Sequence, residues 1–164
     1  MPGVKKVIFL HQPDLGLEDT PALRKEILRI LLTHKPQIVC TQDPYNDRYI
    51  SNPDHRKLGR LVLDMVFPYA FAPNAYPDLV KEVWLWVPEQ PNLRVDVTDT
   101  YALKEKAICC HRSQIADWMD SGVSYKEVEK GMMKFTLDGA LRAAAGTEFK
   151  YAESFARVIV PPRL

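Results

Sequence analysis

The stretch from Gln37 to Val66, QIVCTQDPYNDRYISNPDHRKLGRLVLDMV, decides how the rest of the chain is read. Gln37 to Thr41 (QIVCT) is short and continuously apolar at its centre, as expected of a parallel strand covered on both faces. A polar loop, QDPYNDRYISNP, runs from Gln42 to Pro53. From about Asp54 to Met65 the apolar residues Leu58, Leu61, Val62, Met65 and Val66 recur at helical spacing, so a helix follows. A strand, a polar loop and an amphipathic helix in this order form the unit that α/β proteins repeat. The loop after the C-terminal end of such a strand is where those proteins place their sites.

Working outward, Val4 to Leu10 (VKKVIFL) is β-branched and apolar and reads as a buried strand. Residues 11 to 19 form a loop. Thr20 then offers an N-cap with Pro21 at the first helical position. Leu23, Ile27, Ile30 and Leu31 carry a helix to about His34, which Lys35-Pro36 ends. Beyond the central stretch, Phe67 to Leu79 is irregular. Val80 to Val87 (VKEVWLWV) and Leu93 to Val97 (LRVDV) read as strands. Thr98 can cap a helix with Leu103, Ala107 and Cys110 on one face, ending near His111-Arg112-Ser113-Gln114. Tyr125–Met133 and Phe135–Ala145 read as two helices around a break at Gly131, with Gly146 as a C-cap residue. Tyr151 to Val160 closes the chain. Alternating strands and helices predict an α/β fold in three layers, a mostly parallel sheet flanked by helices.

Composition narrows the function classes. The chain has 164 residues, 46% hydrophobic and 26% charged, with a net charge of +1. That is ordinary for a globular domain and gives no basic surplus for nucleic acid or a membrane surface. No apolar run approaches the roughly 20 residues that span a bilayer. The three cysteines, Cys40, Cys109 and Cys110, are odd in number and lack C-x-x-C spacing. They read as reduced, mostly buried thiols of a cytoplasmic protein.

The sharpest local signal is Asn52-Pro53-Asp54-His55, where the polar loop meets the helix. An imidazole is a good zinc ligand and a neighbouring carboxylate can orient it. Equally, Asp54 can simply cap the helix with His55 in its first turn. Asp43 either faces the cleft or forms the turn. Arg48 and Tyr49 either bind a sugar or phosphate or pack the loop. His111 either lines the site or stabilises a helix C-terminus. Asp96 and Asp99 shape the turn into the following helix. Trp84 and Trp86 alternate along a strand and are read as packing residues.

Several segments, in order and at matching spacing, resemble the PIG-L (LmbE-like) family of zinc-dependent de-N-acetylases. They are IVCTQDP, DRY, NPDHRKLGRLVLD, VKEVWLW, VDVTDT, HRSQ and the terminal YAESF. The resemblance covers almost the whole chain and implies a single, Rossmann-like deacetylase domain over residues 1–164. It also implies a hydrolase that removes the acetyl group from an N-acetylated amino sugar or similar small amide. In the family a zinc held by two histidines and one aspartate activates water, and a separate aspartate is the general base. A His-x-Asp-His motif supplies a zinc ligand in its last histidine. Here that position is His55, the implied metal ligand, and Asp54 matches the supporting aspartate. The first position is Asn52, a departure, since asparagine can donate a hydrogen bond to an oxyanion and cannot transfer a proton. Asn52 and Asp54 are thus the candidate catalytic residues, and Asp43, Arg48, Tyr49 and His111 the candidate substrate-binding ones.

The family's His-Pro-Asp-Asp segment, with the other zinc ligands and the general base, has no match. His11-Gln12-Pro13-Asp14 follows an apolar run but lacks the paired aspartates and stands too near His55 in sequence. The expectation is an N-terminally shortened deacetylase, inactive or impaired, whose zinc site is incomplete. Two alternatives stand beside it: a non-catalytic sugar-binding or interaction protein, and one half of a split enzyme. A cysteine hydrolase built on Cys109 or Cys110 is a weaker fourth, with only His111 near as a base. The expected partner is an N-acetylated small molecule; self-association is left open.

Overall fold

Thr20 starts the first helix as its sequence foretells. Its side chain accepts a hydrogen bond from the Leu23 N–H, Pro21 occupies the first turn, and α1 runs Pro21–His34. Lys35 stops it in a left-handed conformation, its N–H bonded to Leu31 O. The computed structural model describes residues 3–46, 52–66, 80–117 and 123–160, without the side chains of 115–117. The elements after α1 are β1 (Ile38–Gln42), α2 (Pro53–Val66), β2 (Glu82–Trp86), β3 (Leu93–Asp96), α3 (Tyr101–Ile108), α4 (Arg112–Asp117), α5 (Tyr125–Ala144) and β4 (Ala152–Ile159). The irregular segment read at Phe67 to Leu79 lies outside the described residues.

The α/β expectation holds as a mixed four-stranded sheet in the order β1-β2-β4-β3, flanked by helices. β1 and β2 pair in parallel, with Cys40 opposite Trp84 and Gln42 opposite Trp86. β2 and β4 pair antiparallel, with Trp86 opposite Phe155. By its contacts the chain divides into two compact units, one of Leu10–Leu93 with Ser154–Leu164, the other of Met1–Phe9 with Arg94–Glu153.

In the first unit α1 and α2 bury one face of the strands. Leu23, Ile27 and Leu31 from α1 and Leu61, Met65 and Val66 from α2 enclose Val83 and Leu85, with Val39, Ala156 and Val158 packed against them. Strand residues alternate between faces, so Ile38, Trp84, Trp86 and Ile159 stand on the other face. Arg24 bonds Asp19 and also reaches Asp64 at 3.0 Å, tying α1 to α2. This exposed pair contributes at most about 1 kcal/mol.

In the second unit α5 packs against α3 and α4. A capping box starts α5: Ser124 accepts from the Glu127 N–H while the Glu127 carboxylate accepts from the Ser124 N–H. Tyr101 and Tyr151 stack with ring centroids 4.2 Å apart.

Several expectations change. Residues 4–10 form no strand, and Phe9 is 75% exposed. Apolar β-branched composition meets one requirement of a strand; the other, a neighbouring strand to take its N–H and C=O groups, is not met among the described residues. Ile38 and Cys40 of β1 stand on the face away from α1 and α2 and are exposed, so among the described residues the strand is not covered on both faces. The thiols are not mostly buried: Cys40 and Cys110 are exposed and Cys109 is half-buried, and no disulfide joins them. α5 passes through Gly131 without a break. A helical glycine costs only about 1 kcal/mol, which the capping box and packing outweigh. Thr98 does not cap α3. Its hydroxyl accepts from the N–H groups of Lys150 and Tyr151, and the helix begins after Thr100. α3 ends at Ile108, just before His111, and buries Tyr101 while Leu103 is exposed. Leu58 likewise faces solvent, and Gly59 and Leu63 join the buried side of α2.

Candidate functional site

The C-terminal ends of the parallel strands β1 and β2 and the start of α2 carry Asp43, Asn52, Asp54 and His55, four of the residues singled out by the sequence. Gly59 brings them together. A Cβ built on Gly59 would stand 2.4 Å from the Gln42 carbonyl oxygen and 3.1 Å from the Pro44 ring. The helix backbone therefore lies directly on the end of β1. An isolated glycine inside an amphipathic helical pattern is the signal that could have found this approach.

Asn52 is the cap of α2. Its Oδ1 accepts from the Asp54 N–H at 2.9 Å and the His55 N–H at 3.4 Å, and Pro53 takes the first helical position. The capping role weighed for Asp54 thus belongs to Asn52. Asp54 instead accepts from the Leu17 N–H at 3.1 Å, while Lys57 Nζ donates to Leu17 O at 2.8 Å. These two ties hold the 11–19 loop on the first turn of the helix. A carboxylate there also complements the helix N-terminus. Asn52→Ala is expected to cost about 1 kcal/mol, the usual worth of an N-cap, as a lower urea midpoint; an unchanged midpoint would contradict the capping assignment.

His55, half-buried, sits one residue on, its ring centroid 6.2 Å from that of Trp86 at a 48° tilt. Asp43 forms the turn after β1: its carboxylate accepts from the Tyr45 N–H at 2.9 Å, and its own N–H donates to Trp86 O at 3.1 Å. Asn46, which sequence reasoning missed, is buried and donates from Nδ2 to Val87 O at 2.6 Å. Val87 has a left-handed backbone, φ 55°. Such a conformation is uncommon for a β-branched residue and persists where neighbours impose it. No sequence signal marks Asn46, whose partner lies 41 residues away.

Arg48 and Tyr49 lie outside the described residues. His11 and Asp14 are exposed in the loop after residue 10, His11 with φ 51°. His111 belongs to the other compact unit, exposed between α3 and α4, its N–H donating to Ile108 O at 3.0 Å. Asp96 shapes the turn before α3, and hydrogen bonds from the Thr98 hydroxyl and the Thr98 N–H hold its carboxyl below the usual range. In the same unit an open groove of about 500 Å³ is lined in part by Cys109, Cys110, Glu129, Tyr125 and Met133. Burial and the Glu129 carboxylate push the Cys109 thiol up. That favours the unreactive protonated form and weighs against a cysteine nucleophile.

The donor set tests the implied zinc. A catalytic zinc takes about three protein ligands. Among the described residues no three histidine, cysteine, aspartate or glutamate side chains come together so as to hold a metal ion. His55 with Asp54 does not make a complete site. No helix among the described residues is long and apolar enough to cross a membrane.

Comparison with known proteins bears on this site. Residues 1–66 match the family model PIG-L, GlcNAc-PI de-N-acetylase. Over 124 residues the chain is 32% identical to diacetylchitobiose deacetylase of Thermococcus kodakarensis, covering 70% of this chain and 46% of the relative. It superposes on the N,N'-diacetylchitobiose deacetylase of Pyrococcus horikoshii, solved with its inhibitor MPG, with a TM-score of 0.79 and 29% identity. That match covers 96% of this chain and 58% of the other. The conserved protein TT1542 of Thermus thermophilus matches with a TM-score of 0.61 and 25% identity, covering 93% of this chain and 64% of that one. The chain thus spans about half the length of the curated relative it matches.

Proposed function

We propose, for a chain homologous to the PIG-L (LmbE-like) de-N-acetylases, that it carries one side of a de-N-acetylase active site. The reaction is hydrolysis of the N-acetyl group of an amino sugar or similar small amide. The two compact units are read as parts of one deacetylase domain, and the protein as cytoplasmic. The observation that carries the reading is the placement of Asp54 and His55 in the first turn of α2, at the ends of parallel strands, in a chain that superposes on such a deacetylase.

Within this reading His55 is a metal ligand, and Asp54 beside it holds the loop at Leu17. Asp43, Arg48, Tyr49 and His111 are the proposed contacts to substrate. The family's chemistry is metal-dependent, yet the described residues do not complete a metal site, so the chain by itself is proposed to be impaired.

A second reading, a sugar-binding protein without catalysis, draws on Asn52. Its side chain is committed to the helix cap where the family motif has a histidine. Acetate release from N,N'-diacetylchitobiose, measured with added zinc beside the archaeal enzyme, separates the two. Deacetylation well below that enzyme and abolished in His55→Ala supports the first reading. Sugar binding with no release above background supports the second and sinks the first.

A further inference from the structure

We propose that Trp86 is an aromatic platform for the pyranose ring of the substrate, a role its twin Trp84 does not share. The two indoles stand two residues apart on one face of β2. Trp84 is used up internally: its ring packs on Phe155 at 5.4 Å and its Nε1 donates to Glu82 at 2.7 Å. Trp86 is 39% exposed, and among the described residues nothing accepts its indole N–H. Its ring lies against His55, the residue assigned to the chemistry.

Exposure alone does not make a site, because Ile38 and Ile159 on the same face are also exposed. Trp86 differs from them in how it is held. Its carbonyl accepts from the Asp43 N–H, and the next carbonyl, Val87 O, accepts from the buried Asn46 side chain. Val87 is left-handed, turning the chain immediately after the indole. The loop after β1 thus holds two successive carbonyls, at the tryptophan and at the residue after it. Ligand sites combine such rigid apolar surfaces with a few polar groups that set orientation. A pyranose offers an apolar face of C–H bonds to a ring and hydroxyls at its rim, and an indole presents an apolar face with one donor at its edge. Stacking there would hold a sugar ring beside His55.

The inference deepens the deacetylase reading by naming what the substrate is held by, and its test is a binding measurement independent of hydrolysis. Calorimetric titration uses N,N'-diacetylchitobiose and, as a ringless control, N-acetylethanolamine. The disaccharide is expected to bind and the ringless amide to bind at least about tenfold more weakly. Trp86→Ala should weaken disaccharide binding by about tenfold and Trp86→Phe by only about threefold, while Trp84→Phe leaves it unchanged. Circular dichroism of each variant checks the fold, and Trp86→Phe keeps the test valid if the alanine variant does not fold. Disaccharide affinity that ignores Trp86→Ala, equal affinity for the ringless amide, or no disaccharide binding at all overturns the platform. Trp86-dependent binding without acetate release would leave the platform standing and remove the hydrolytic reading; acetate release that ignores Trp86 would do the reverse.

Discussion

Gly59→Ala is expected to destabilise the protein by about 2 kcal/mol, although alanine is the better helix former. Two effects compete. Alanine in place of a helical glycine gains about 1 kcal/mol. Against it, the new methyl carbon would stand 2.4 Å from Gln42 O and 3.2 Å from Gln42 C, with the Pro44 ring at 3.1 Å. The nearest atoms are backbone, with no rotamer to move aside, so the start of α2 must withdraw from the end of β1. Overpacking of this kind costs about 1–3 kcal/mol, and a backbone clash belongs at or above the upper end. The net loss corresponds to a fall of about 4–8 °C in Tm for a chain of this size. Gly131→Ala supplies the control: it makes the same change in helix propensity in α5, where an added Cβ meets nothing within 4 Å. It should stabilise by up to about 1 kcal/mol. Opposite signs for the two variants in thermal melts would support the contact; a stabilising Gly59→Ala would refute it. The substitution should also loosen the site, because Asn52, Asp54 and His55 ride on the same helix turn.

How much of this was legible depends on how local each determinant is. Thr20-Pro21 and the apolar spacing through Leu31 set α1 within one residue, because cap, proline and periodicity all act within the helix itself. α2 and β2 were equally plain. Gly131, by contrast, signalled a break that packing overrode, since the partners of α5 lie in α3 and α4. Val4 to Leu10 has the composition of a strand, but a strand is a pair, and composition carries no word of the partner. Thr98 was a sound local cap whose hydroxyl was instead taken by backbone 52 residues on, at Lys150.

The site divides along the same line. Asp54 and His55 are adjacent in sequence and could be seen together, as could the asparagine three positions before the histidine. What those residues do for the fold was not visible. Asn52 caps, Asp54 holds Leu17, and Asn46 reaches Val87, each through a partner fixed only by the folded chain. The tryptophans show the limit most clearly. Their alternation placed both on one strand face and favoured packing for both, whereas Trp84 packs on Phe155 and Trp86, at the strand end beside His55, stays 39% exposed.

The second large effect concerns zinc: the isolated chain is expected to lose it. After equilibration with one equivalent and gel filtration, metal analysis should find almost none retained, with wild type and His55→Ala indistinguishable. The argument is one of ligand number. Catalytic zinc is held by about three protein ligands. The neighbouring carboxylate, Asp54, is oriented by the Leu17 N–H, and among the described residues no third donor stands with it and His55. Binding must also displace protons and water from each ligand, a cost that one imidazole does not offset by itself. Tight, stoichiometric zinc that disappears in His55→Ala would overturn the expectation. Among the described residues its remaining ligands would then be sought in the 11–19 loop, which Asp54 and Lys57 tie to α2 at Leu17 and in which His11 and Asp14 are exposed. His11→Ala and Asp14→Ala, each read by the same metal analysis, would settle whether that loop closes on His55 when zinc is present.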